Sequence, residues 1–217
     1  DENQDLIDFQ KSQGDREAPQ LTDEKAFLDN QQQLFDKMSD FFASHEAVPE
    51  SVQVILDHFG RNILKDSTHT LQAMLDKRNA RRDESEEAEE LPGKLRVLDV
   101  ACGTGVLFDV LIAAASGLDV ALDIVGVDLS PQMVAKAQKH ASMVVREYPQ
   151  HSITVVASDI GEFADDEGFD LITANACFGN FWNSSETLAH LSDLLKVDGS
   201  LFVTHPLGAE FVTSLHE

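Results

Sequence analysis

The chain has only two cysteines in 217 residues, Cys102 and Cys177. Two thiols cannot build a disulfide framework or a metal cluster, and their scarcity fits a reducing compartment. Basic residues are scarce as well: 16 Lys and Arg stand against 39 Asp and Glu, a formal net charge of −23. The imbalance is not confined to a tail. Residues 1–93 carry 10 basic and 22 acidic side chains, and residues 94–217 carry 6 and 17. A field of that sign repels phosphate backbones and anionic membrane surfaces, which argues against nucleic-acid substrates. Solubility or a basic protein partner remain as its meaning. No apolar run approaches the ~18 residues that span a bilayer, so a soluble protein is expected. The first residue is Asp, and the acidic opening stretch carries no signal or transit pattern. A cytoplasmic protein and a processed chloroplast or mitochondrial form both fit.

What is present is a core-forming share of hydrophobic residues, 42%, in a length suited to one α/β domain with an extension. Residues 1–20 are polar, contain Gly14 and Pro19, and read as a flexible segment. Residues 21–82 read as a helical cap. Phe27, Leu34, Met38 and Phe41 share one helical face. A second helix is expected from Pro49 with Val52, Leu56, Phe59 and Ile63, and a third over about 67–82 with Leu71, Met74 and Leu75. The acidic run 83–93, ended by Pro92-Gly93, reads as a solvated linker.

From residue 94 to 217, strands and helices alternate. Strands are expected at 95–100, 124–128, 153–157, 169–174 and 200–204. Helices are expected after Gly105, from Ser130-Pro131, and over about 185–195, with a turn at Val197-Asp198-Gly199. Such alternation predicts a parallel sheet covered on both faces, with right-handed crossovers.

The first strand runs into a glycine turn, Asp99-Val100-Ala101-Cys102-Gly103-Thr104-Gly105, and the second ends at Asp128, 23 positions after Gly105. Glycines let a ligand approach the backbone, and the following helix N-terminus offers free N–H groups. A carboxylate at the next strand end accepts from a ribose diol. Asp159 ends the third strand in the same way. A dinucleotide fingerprint needs a third glycine where Phe108 stands, and a P-loop needs Lys-Ser or Lys-Thr where Val106 and Leu107 follow Gly105. The pattern points to an adenosine-containing cofactor other than these.

Residues 97–105, 125–134, 157–160, 169–178 and 194–204 together resemble the ordered motifs of class I S-adenosylmethionine-dependent methyltransferases. The resemblance implies a Rossmann-like, doubly wound, mostly parallel sheet of order 3-2-1-4-5. It also implies S-adenosyl-L-methionine as cofactor and S-adenosylhomocysteine as product. By position, Asp99 and the turn Ala101, Cys102, Gly103 and Gly105 would hold the methionine part. Asp128 would take the ribose hydroxyls, Leu129 and Met133 the adenine face, and Asp159 the adenine amino group with Ile160 beside it. Asn175 would lie near the transferred methyl. Ala101 replaces the family's first motif glycine. The family sheet has seven strands and this chain ends just after the fifth, so the last two are expected to be shed or missing from this chain.

The acceptor is less defined. Asn175-Ala176-Cys177-Phe178 is distantly similar to the N-P-P-[FY] motif of amino-group methylating enzymes, without either proline. Phe178, Phe181 and Trp182 would wall an acceptor pocket or pack under the helical cap. Cys177 is a reactive or a buried thiol. His205, after the fifth strand, is a candidate general base. No histidines pair at metal-ligand spacing. Three functions fit: methyl transfer to a small molecule or protein, a non-catalytic binding or assembly subunit of the same fold, and, disfavoured by Phe108, a nucleotide-linked oxidoreductase.

Overall fold

The computed structural model describes residues 23–43, 50–84 and 94–204. The expected segment 1–20 and His205 lie outside the described residues. Helix α1 spans Glu24–Ala43 and α2 spans Glu50–Glu84. The core follows as β1 (Lys94–Val100), α3 (Val106–Ser116), β2 (Ala121–Asp128), α4 (Pro131–Glu147), β3 (Ser152–Ala157), β4 (Phe169–Asn175), α5 (Ser184–Asp193) and β5 (Leu195–Thr204). The described strands form one five-stranded sheet of order β3-β2-β1-β4-β5 with every pair parallel, as expected. No described helix is long and apolar enough to cross a membrane.

Strand side chains alternate between two cores. Leu95, Val97, Leu122 and Ile124 meet Ile63, Leu71 and Met74 of α2 together with α3 and α4 on one face. Leu98, Val100, Ile172 and Ala174 meet Leu191, Leu194 and Phe178 on the other.

Two expectations need correction. The second and third helices are one helix of 35 residues. Ile63, Ser67, Leu71 and Met74 form a single buried stripe through the supposed break. Two hydroxyls bond back along the helix across that point: Thr68 Oγ1 donates to Leu64 O (2.7 Å) and Thr70 Oγ1 to Asp66 O (2.8 Å). This helix also takes Asp83 and Glu84 from the expected linker, whose remainder lies outside the described residues. At the other end, the expected turn 197–199 is a bulge inside β5. Phe169 pairs with Leu195, but Leu171 pairs with Ser200. Asp198 takes φ 66°, and a Cβ on Gly199 would stand 2.9 Å from the Phe169 carbonyl.

The glycine turn is held from below. Gly105 has φ +85°, and a Cβ there would sit 2.4 Å from the Phe108 ring. The same ring lies 3.0 Å from where a Cβ on Gly126 would stand. Phe108 therefore fills the space between turn and sheet that a third glycine would leave to close helix packing. Gly105→Ala should lower the unfolding free energy by about 2 kcal/mol or more, from backbone strain and overpacking together. Denaturant titration measures this, and an unchanged midpoint would contradict it.

Candidate active site

The C-terminal ends of β1, β2, β3 and β4 open into one cleft of about 990 Å³. Asp99, Ala101, Cys102, Gly103, Asp128, Leu129, Met133, Asp159 and Asn175 all line it, so most of the expected residues meet. Gly105 and Ile160 are not among the lining residues. Gly105 is buried against Phe108, and Ile160 packs in the second core.

Backbone geometry shapes the floor. Cys102 N–H donates to Val127 O (3.0 Å) and Gly105 N–H to Cys102 O (2.9 Å), which pins the turn to the end of β2. Ala101 takes φ 51° without being glycine. Gly103 takes φ +56°, and a Cβ there would meet nothing within 4 Å. The turn thus presents bare backbone to open space.

Asp128 ties this turn to α4. Its Oδ2 accepts from Gly103 N–H (2.8 Å) and its Oδ1 from Ser130 N–H (2.9 Å). Burial pushes its carboxyl above the usual range, and the two backbone donors offset part of that. Asp99 is deeper. Oδ1 accepts from Thr173 Oγ1 (2.9 Å), while Oδ2 is buried with no partner among the described residues. Burial pushes the Asp99 carboxyl up to about 7, against the pull of Thr173 and with a push from Asp128. Asp159 Oδ1 accepts from Gly161 N–H (3.0 Å). Both thiols are buried, and desolvation, then Asp99, raises their pKa. Cys177 is therefore a buried thiol and not a thiolate.

Helix α1 covers the cleft with Glu24, Lys25, Leu28, Gln31 and Phe35. It is anchored on α4. The N-cap Ser130 Oγ accepts from Met133 N–H (3.1 Å) and donates to Asp36 Oδ1. Lys136 Nζ donates to Ser39 Oγ (2.9 Å) and Asp40 Oδ1 (2.6 Å).

A family model described as a methyltransferase domain matches residues 56–215. The chain belongs to the methyltransferase domain family. The malonyl-[acyl-carrier protein] O-methyltransferase of Paenibacillus sp. (strain JDR-2) is 27% identical over 72% of this chain and 53% of its own length. The ubiquinone biosynthesis O-methyltransferase of Pasteurella multocida is 30% identical over 54% of this chain and 48% of its own. The chain spans about half the length of the curated relatives it matches. Among solved structures, magnesium protoporphyrin IX methyltransferase from Synechocystis PCC 6803 with bound SAM shares the fold at a TM-score of 0.54. Its identity is 19%, over 82% of this chain and 75% of that one.

The rest of this methyltransferase domain's cleft is built from residues that sequence reasoning treated loosely or missed. Trp182 packs under α1, its ring 5.5 Å from that of Phe27, and it also lines the cleft. Phe181 lines the cleft, and Phe178 is buried edge-on against it at 5.2 Å. The cleft-facing stripe of α1 is 24-28-31-35, one step around from the apolar face that the sequence suggested. Gln31 Oε1 is buried there without a partner. His190 also lines the cleft, with Nε2 donating to Phe163 O (2.8 Å). With Glu186 and Thr187 it forms the polar stripe of α5, at a spacing the sequence already contained.

Asn175-Ala176 departs from the N-P-P-[FY] motif in backbone as well as in residue type. Ala176 has φ 54°, which proline cannot adopt. Its N–H donates to Thr204 O (2.8 Å), and Thr204 Oγ1 donates to Asn175 Oδ1 (2.7 Å).

Asp99 makes stability pH-dependent in a defined sense. Its folded pKa of about 7 lies above the ordinary 3.8, so the folded protein keeps a proton that the unfolded chain releases. This contribution is full below the ordinary value and is lost as pH rises through the folded one. Denaturant titrations between about pH 5 and pH 8 should show wild type losing stability relative to Asp99→Asn, by up to about 1.4 kcal/mol per pH unit. Parallel curves would contradict this.

Proposed function

We propose that this domain binds S-adenosylmethionine in the cleft and transfers its methyl group to an oxygen of a small-molecule acceptor. One observation supports this above others: three adjacent strand ends bring together an open glycine cradle, two carboxylates at adenosine positions and an unsatisfied carboxylate oxygen.

The residues present fit that cofactor. A carboxylate offers about four acceptor sites. Asp128 spends two on Gly103 and Ser130 and keeps two for a ribose diol. Asp99 Oδ2 lacks a donor, which suits the cationic methionine end. The Gly103 cradle admits that end without a Cβ in the way. Leu129 and Met133 would flank the adenine, and Asp159 would accept from its amino group beside Ile160. When bound, the cofactor supplies a methyl on a sulfonium, activated for in-line displacement.

The chain's own work is then positioning and exclusion of water. Helix α1, braced through Asp36, Ser39 and Asp40, would cover the reacting region, and Asn175 would stand near the methyl. With the methyl supplied by the cofactor, which leaves as its thioether, the acceptor's proton would be released to bulk solvent, since no cleft side chain is assigned as its base. The names of the O-methyltransferase relatives support oxygen as the acceptor atom only, and the small-molecule body is proposed from the cleft lining.

Calorimetric titration of S-adenosylhomocysteine should give micromolar or tighter affinity. Asp128→Ala should weaken it at least about tenfold and Asp159→Ala at least about threefold, by loss of charge-assisted hydrogen bonds. A folded protein with no affinity would overturn the proposal.

A further inference from the structure

The lining of the cleft outside its strand ends narrows the ligand. Leu28 and Phe35 of α1 and Phe181 and Trp182 contribute apolar surface there. Such a surface suits an apolar, ring-sized body. Outside the residues assigned to the cofactor, the acidic and basic side chains of the lining are Glu24, Glu162 and Glu186 against Lys25. Three acidic residues facing one lysine disfavour an anion, and the chain's charge of −23 adds to that field.

Two polar groups point to the functional group. Gln31 Oε1 is a buried acceptor with no partner among the described residues, so an N–H or O–H from a ligand would satisfy it. Asn175 presents the opposite polarity. Its Oδ1 is engaged by Thr204 Oγ1 at 2.7 Å, a length typical of O–H···O bonding, which leaves the Nδ2 hydrogens for the cleft. A neutral amine has one lone pair, and an Asn175 donor would occupy the pair that must attack. A hydroxyl oxygen has two, one for Asn175 and one for the methyl carbon, and still has its hydrogen for an acceptor such as Gln31. The left-handed Ala176, pinned by Thr204 O, keeps this donor orientation in place.

We infer that the acceptor is an uncharged hydroxyl compound with an aromatic or similarly apolar body, recognised through Gln31 and Asn175. This rests on the methyltransferase reading above and adds the substrate class.

The test uses the full chain and three probes of one shape: para-phenylphenol, para-phenylaniline and para-phenylbenzoate. S-adenosylhomocysteine is titrated first, and no binding would overturn the underlying reading itself. With it saturating, each probe is titrated by calorimetry, and emission of Trp182, the chain's single tryptophan, reports arrival in the cleft. The phenol should bind at least about tenfold more tightly than the benzoate and should change Trp182 emission. Gln31→Leu should weaken phenol binding at least about fivefold and leave S-adenosylhomocysteine affinity within about twofold. Asn175→Asp, which replaces the donor by an acceptor of equal size, should reverse the order of phenol and aniline. Cofactor binding with the benzoate equal to the phenol, with the aniline preferred by wild type, or with none of the probes bound would overturn the inference alone.

Discussion

One buried carboxylate holds the site together. Asp128 takes one backbone N–H from the glycine turn after β1 and one from the entry to α4. Those two segments come from different crossovers, and Asp128 adds its two bonds to the Cys102 N–H to Val127 O bond that already pins the turn to the end of β2. Burial raises the cost of the charge, and the two donors answer part of it. The remaining acceptor sites face a cleft where ligand hydroxyls would complete the shell. The same group thus sets the shape of the turn and, in the proposed function, would serve as the docking point for the ribose.

The cover depends on that arrangement at one remove. Ser130, whose N–H serves Asp128, uses its hydroxyl both as the N-cap of α4 and as a donor to Asp36 of α1. A change at the Asp128 end of the cleft is therefore linked to the seating of α1 over it. Lys136, with Ser39 and Asp40, adds a second point of attachment one turn further on. Being exposed on the Asp40 side, that pair contributes geometry more than stability.

Much of this was legible in the sequence where the determinant is local. The glycine turn, Asp128, Asp159 and the Ser130-Pro131 start are short motifs whose backbone demands leave few alternatives, and strand alternation gave the parallel sheet. Phe108 read correctly as a departure from the dinucleotide pattern. Its role of filling the space between Gly105 and Gly126 needed coordinates. The continuity of α2 was not legible because it rests on the stripe Ile63, Ser67, Leu71 and Met74, which only tertiary packing shows to be buried without a break. The cleft-facing side of α1 stayed hidden because Gln31 reads as a surface residue, and only tertiary contact shows its oxygen buried. The 197–199 turn signal was real, but the sheet absorbed it as a bulge.

The central claim is that Asp128 and the Gly103 cradle together form an adenosylmethionine site. A crystal structure of the protein grown with S-adenosylhomocysteine tests it most directly. The ribose hydroxyls should lie within hydrogen-bond distance of Asp128, with the homocysteine part over Gly103 and the bonds from Gly103 and Ser130 N–H to Asp128 retained. Ligand density elsewhere, or ribose hydroxyls turned away from Asp128, would contradict the account.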